Sequence, residues 1–209
     1  MNVFFIGGSP CSGKSTIAEI LSRKYGLHYF KVDDHLDKYT RMGAEVGYPI
    51  CKKQMEMSTE QIWMRTPQVQ CEEELQFYEE IFPFILQDLK KLDSGCAVIT
   101  EGTAYLPNLI KQIGIPNNKF IAMVPTEAFQ IYHYSKREWV PYVLAECSNP
   151  EKAFQNWMER DILFAQEVAQ RCSEVNYQCV VNNGDLTIER MEDMLKLHFG
   201  LGDKYEEFD

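Results

Sequence analysis

Val3-Phe4-Phe5-Ile6-Gly7-Gly8-Ser9-Pro10-Cys11-Ser12-Gly13-Lys14-Ser15-Thr16 lies at the amino end of the chain. Its first four residues form an unbroken apolar run, which suits a strand buried on both faces. From Ser15 to Tyr25, Ile17, Ile20 and Leu21 recur at helical spacing, so strand, glycine loop and helix follow one another directly. The loop from Gly8 to Ser15 fits the pattern G-x-x-x-x-G-K-[S/T] in full. Glycines let the backbone curl until successive N–H groups point inward. The helix start adds its positive dipole end, so a polyphosphate can be held without bulky side chains. Lys14 is expected to span the β- and γ-phosphates of a nucleotide, and Ser15 to offer its hydroxyl to Mg²⁺. Thr16 lies beside Ser15 in the first turn, and Gly8, Ser9, Pro10, Cys11, Ser12 and Gly13 complete the cradle.

Outward from this stretch, further short apolar runs without alternation occur at Tyr29 to Val32, Ala97 to Ile99, Phe120 to Val124 and Cys179 to Val181. Helical stretches separate them. Thr66-Pro67 offers a cap and a first-turn proline, and Leu75, Tyr78, Phe82, Leu86 and Leu89 carry a stripe to a stop at Ser94-Gly95, with a kink expected at Pro83. Ser148-x-x-Glu151 has the form of a capping box before a stripe of Phe154, Met158, Ile162, Ala165, Ala169 and Cys172. A second stripe on the same helix carries Trp157, Arg160, Asp161, Phe164 and Arg171. Ile188, Met191, Leu195 and Phe199 define a last helix closed by Gly200. Strands alternating with helices predict an α/β fold in three layers, a five-stranded parallel sheet with helices on both faces. The stretch 125–149 lacks clean periodicity and is rich in aromatic and basic residues, so it is expected to be an inserted flap.

At 209 residues the chain suits one domain with an embedded lid. Its 21 Lys and Arg against 31 Asp and Glu leave a net charge of −10, which repels a phosphate backbone and argues against nucleic-acid binding. No apolar run has the length of a spanning helix, and the first residues lack the form of a signal peptide, so a soluble, cytoplasmic protein with no membrane partner is expected. Seven scattered cysteines without a C-x-x-C pair point to free thiols in a reducing compartment. The four histidines share no ligand spacing, which argues against zinc. No pattern in the sequence fixes the oligomeric state.

With its loop and order of elements, the chain resembles the P-loop small-molecule kinases, the group that includes nucleoside monophosphate kinases, shikimate and gluconate kinases and chloramphenicol phosphotransferase. The resemblance covers most of the chain as an order of elements and the first sixteen residues as a specific motif. It implies a single P-loop domain over 1–209 that uses ATP and Mg²⁺, with acceptor-binding helices at 33–95 and a lid at 125–149. It also implies an acidic residue at the end of the second strand, where Asp33 and Asp34 stand. Such a carboxylate accepts or orients the proton of an attacking hydroxyl; Asp33 is the first choice and Asp34 the second, both as contacts of the acceptor, and either one also suits a cap on the next helix. Glu101-Gly102 stands where relatives show an acidic residue and glycine. There Glu101 would hold Mg²⁺ or the acceptor and the glycine would leave room for substrate; the same pair also suits an ordinary strand-ending turn.

The lid of such kinases presents arginines to the phosphates, and Arg137 within the segment and Arg160 behind it are the candidates, with Lys136 beside them. The spaced arginine pair usual in that lid is missing, and each of these charges also fits a solvated surface. Arg41 and Arg65 are candidate anion clamps for the acceptor, and Tyr39, Tyr48 and Trp63 are candidate stacking or packing surfaces. Asn183 to Asp185 either frames the adenine, with Asp185 the contact, or forms a turn. The function implied is ATP- and Mg²⁺-dependent phosphoryl transfer to a small molecule: a nucleoside, nucleotide, sugar acid or similar hydroxyl compound. The alternative is a regulatory NTPase acting with a protein partner. Asn118-Lys119 is followed by Phe120-Ile121 rather than completing N-K-x-D, and no L-S-G-G-Q signature occurs, so neither a Ras-like switch nor an ABC-type ATPase is indicated.

Overall fold

A computed structural model describes residues 2–92 and 95–202. β1 (Val3–Gly8) leads through the glycine loop into α1 (Lys14–Lys24) and β2 (His28–Lys31). A 3-10 turn at Val32–His35 then opens a helical stretch of α2 (Leu36–Val46), α3 (Pro49–Glu56), α4 (Thr59–Trp63) and α5 (Pro67–Lys91). The chain returns as β3 (Val98–Glu101), α6 (Pro107–Gln112) and β4 (Phe120–Pro125). Two short helices follow, α7 (Glu127–Ser135) and α8 (Val140–Val143), then α9 (Pro150–Val175), β5 (Cys179–Asn182) and α10 (Ile188–Phe199).

The five strands form one sheet in the order β2-β3-β1-β4-β5, and every neighbouring pair is parallel. Alternation along each strand sends side chains to two cores. Phe4, Ile6, Ile99, Ile121 and Met123 pack against Ile17 and Leu21 of α1 and Met191 and Leu195 of α10. On the other face Phe5, Val98, Phe120, Ala122 and Val124 meet Phe77, Ile81 and Ile85 of α5 and Phe164 and Val168 of α9. This is the three-layer α/β arrangement expected, with a P-loop after the central strand. No helix of the described residues is long and apolar enough to cross a membrane, and the seven cysteines are free thiols.

Several local expectations are corrected. α9 is capped by Asn149, whose Oδ1 accepts the Lys152 N–H at 3.0 Å, rather than by a Ser148–Glu151 box. Pro150 takes the first helical position, which places the cap one residue before it; Ser148 instead donates both its N–H and its hydroxyl to Glu60. α5 carries Pro83 inside it and ends at Lys91, short of the expected Ser94-Gly95 stop, of which Ser94 lies outside the described residues. Both stripes of α9 are partly buried: Met158, Ala165 and Cys172 of the first and Trp157, Asp161 and Phe164 of the second are covered, while Phe154, Ile162 and Ala169 of the first and Arg160 and Arg171 of the second are only partly so.

Segment 125–149 carries the short helices α7 and α8, and it builds a small third core. Tyr134, Val140, Leu144 and Cys147 pack with Ala153, Trp157 and Met158 of α9, and this cluster touches Cys11 of the loop and Trp63 of α4. Trp157 is its centre, 4.3 Å from the Trp63 ring and 5.2 Å from that of Tyr134.

Gly102 has a packing role in the fold. A Cβ there would lie 2.6 Å from the Cβ of Val32, a buried residue at the end of β2, so the missing side chain lets two strand ends meet. Gly102→Ala is expected to cost about 1–3 kcal/mol through overpacking, read from the urea midpoint. Adding Val32→Ala is expected to give a double variant less destabilised than the sum of the two single changes.

Candidate functional site

In a parallel sheet the carboxyl ends of the strands share one edge, and Gly8, Lys31, Glu101, Pro125 and Asn182 end there. The loop after β1 turns back sharply. Gly8 has φ 123°, and a Cβ on it would fall 1.9 Å from the Met123 carbonyl oxygen. Cys11 at φ 62° and Gly13 at φ 95° add two more left-handed residues, and this alternation aims backbone N–H groups at one concavity. Gly13 caps α1 without a side-chain bond, and the first turn holds no acidic residue. The first amides of that helix therefore have no side-chain partner and present an anion-binding end. Asn182, at the end of β5, steadies the loop by donating to the Ser12 carbonyl at 3.2 Å.

Lys14 is 6% exposed and donates to the Ser9 carbonyl at 2.6 Å. Burial pulls its pKa down, while Glu101, Asp33 and Asp161 hold it up. Glu101 is wholly buried; its Oε1 accepts the Tyr29 hydroxyl at 3.0 Å and its Oε2 has no hydrogen-bond partner. Burial pushes its carboxyl up, against the Lys14 ammonium; Asp33 adds to the push, and the Tyr29 and Ser15 hydroxyls pull it back. An unsatisfied buried carboxylate oxygen beside a serine hydroxyl fits a hard cation. No cluster of three His, Cys, Asp or Glu side chains set to hold a metal occurs among the described residues. Mg²⁺ would thus fit here only together with phosphate oxygens and water.

A cavity of ≈ 440 Å³ joins these groups. Its walls include loop residues Pro10 to Thr16, Asp33, Glu101, Thr103, Tyr78 of α5, and Tyr134, Arg137 and Trp139 of segment 125–149. Arg137 lies over the Tyr134 ring, 4.2 Å from its centre. Lys136 turns outward over Tyr132 instead. Both aspartates are exposed, but Asp33 lines the cavity, whereas Asp34 does not and lies 3.8 Å from Lys31.

A second cavity of ≈ 240 Å³ lies among α3, α4, α5 and α9, and Tyr78 belongs to the walls of both. Arg65 and Arg160 line this second space rather than the loop cavity. Arg160 is held by Glu74 and by Asp161, its Nε 2.6 Å from Oδ1, and so lies away from the loop cavity's walls. Arg65 is paired with Glu73. Arg41 is exposed on α2 and lines neither cavity.

Asp185 is exposed in a turn with Asn183, whose Oδ1 accepts its N–H at 3.0 Å, and does not reach the loop cavity. Tyr39 is a core residue bonded to Asp88, Tyr48 packs beside Phe84, and Trp63 lines the second cavity. The sequence did not single out Tyr29, Thr103, Tyr78, Tyr134 or Asn182 for these positions. For Asn182 a signal existed, since the end of every strand in a parallel sheet borders the loop edge.

Fold and loop together define a P-loop α/β protein. No protein-family model matches the chain, and no curated protein does. Among solved structures it is similar to shikimate kinase from Aquifex aeolicus vf5, with 19% identity and a TM-score of 0.46 over 96% of each chain. It is also similar to a proposed kinase from Chloroflexus aurantiacus j-10-fl, with 10% identity and a TM-score of 0.42 over 94% of this chain and 97% of that one.

The raised Glu101 pKa carries a stability consequence. A carboxyl whose folded pKa lies above its unfolded value of about 4.3 costs nothing while protonated in both states. The cost grows as pH rises from the unfolded value toward the folded one and levels off above it. Glu101→Gln removes that cost, so the Tm of the variant relative to the parent is expected to rise from pH 4 to pH 8 in thermal melts. A difference that is flat or falls with pH contradicts the assignment.

Proposed function

We propose that this chain is a phosphotransferase that moves the terminal phosphoryl group of ATP, with Mg²⁺, onto a hydroxyl of a small molecule. The observation that carries the reading is a single cavity in which the loop amides and buried Lys14 face Asp33, Glu101 and Arg137. A polyphosphate needs the first two groups, and an attacking hydroxyl needs a carboxylate. The second cavity, meeting the first at Tyr78, supplies a place for the acceptor that a hydrolytic switch would not require.

In this reading the loop from Gly8 to Thr16 holds the phosphates, and Lys14 leaves the Ser9 carbonyl for their oxygens. Ser15 and Glu101 would hold Mg²⁺, which supplies charge neutralisation at the phosphates. Asp33 accepts or orients the acceptor proton. Arg137 meets charge spread over the transferring oxygens, as a planar guanidinium does. The ring cluster of Tyr134, Trp139 and Trp157 excludes water behind it. An ATP-dependent reaction and seven free thiols suit a reducing, cytoplasmic compartment.

Calorimetry with Mg-ATP is expected to show binding by the parent chain and none by Lys14→Ala, with both giving the same circular dichroism. Acceptor-dependent ADP release is expected to fall by about 10²-fold or more in Asp33→Asn, from the loss of proton acceptance. Unchanged ATP affinity in Lys14→Ala, or ATP hydrolysis stimulated by a protein and indifferent to every small acceptor, would overturn the reading.

A further inference from the structure

The walls of the smaller cavity carry two positive and two negative charges, and each guanidinium already has its counter-ion. Arg65 is bonded to Glu73, which also accepts from Lys53. Arg160 lies between Glu74 and Asp161, and these three side chains are almost wholly covered. With Lys53 and Asp161 counted, the balance stays at three against three. Apart from the charged groups, the lining is largely apolar, with Met57, Ile62, Trp63 and Phe77. Gln70, the deepest amide, has its N–H groups committed to the carbonyls of Trp63 and Arg65.

A phosphate or carboxylate placed here would meet no spare cation. It would have to draw a guanidinium away from its carboxylate, stranding that carboxylate beside the incoming anion at low dielectric. A cationic group would meet the same problem with the signs reversed. An uncharged molecule disturbs neither pair. Its hydroxyls can share the remaining lone pairs of Glu73 and Glu74 while its body covers the apolar wall.

Resting on the phosphotransfer reading, we propose that the smaller cavity is the acceptor subsite. It takes an uncharged hydroxyl compound with a largely apolar or ring-shaped body and rejects acceptors that carry a phosphate or carboxylate. Tyr78 forms the wall shared by the two cavities, so the reacting hydroxyl would pass beside it toward Asp33.

The test uses matched pairs of probe compounds with the full chain: adenosine, cytidine and thymidine beside their 5′-monophosphates, and glucose beside gluconate. ADP release is followed for each. Calorimetry on the protein loaded with Mg²⁺ and a non-hydrolysable ATP analogue is run in parallel. Binding or turnover at least tenfold better for an uncharged member than for its anionic partner is expected. Preference for an anionic member, equal response within every pair, or heat from no compound at all overturns the inference.

Glu73→Gln, which frees Arg65 at the more exposed of the two ion pairs, is expected to shift that ratio by about tenfold toward the anion. An unchanged ratio in a folded variant counts against the charge argument. If the loaded state cannot be made because Mg-ATP itself does not bind, it is the phosphotransfer reading that fails. The same pairs titrated into nucleotide-free protein then still decide the charge preference of the cavity.

Discussion

A charged amine that leaves water must be met by acceptors, and Lys14 imposes that requirement on the whole loop edge of the sheet. The Ser9 carbonyl meets it directly, and Glu101, Asp33 and Asp161 meet it through their charge. Each of these is where it is for a backbone reason. Ser9 is turned beneath the ammonium because Gly8 leaves β1 in a conformation that a side chain would block against Met123. Glu101 faces the ammonium because β3 is in register with β1, pairing it with Ile6. The curl of the loop, the pairing of the central strands and a buried carboxylate are thus one arrangement rather than three. The same arrangement leaves Glu101 Oε2 unsatisfied. A fold optimised for stability alone would remove that cost.

What could be read from the sequence follows the range of the interactions involved. The loop from Gly8 to Ser15 is a local device, its chemistry determined by neighbours in the chain, so its eight residues announce strand, cradle and helix together. The other strands were legible as apolar runs because both faces of a parallel sheet are covered. Their ends drift by a residue or two, since backbone pairing, not polarity, ends them. Capping at α9 was misread because Ser148 and Asn149 are equally good caps in isolation; Pro150 decides between them.

The packing role of Gly102 was hidden for a different reason: its neighbour Val32 lies seventy positions away in sequence, and no local pattern records that the two residues touch. The same limit hid the burial of Asp161. A stripe of apolar residues marks the packing face of a helix only where that face is wholly apolar. Along α9 it contains a carboxylate, tolerable because Arg160 lies beside it and Glu74 approaches from α5.

A buried ion pair rarely stabilises a fold more than apolar side chains of the same size would, so the Glu74–Arg160–Asp161 cluster calls for an account other than stability. Its position supplies one. Glu74 neutralises Arg160 with one oxygen and accepts the Tyr78 hydroxyl at 3.0 Å with the other. Tyr78 is the wall between the two cavities. The carboxylate that cancels the charge of the smaller cavity therefore also fixes the partition through which that cavity meets the phosphate loop. Charge balance and the placement of the opening are coupled through one side chain. Exchanging the cluster for apolar residues would preserve the packing of α5 on α9 and leave the partition without its tether.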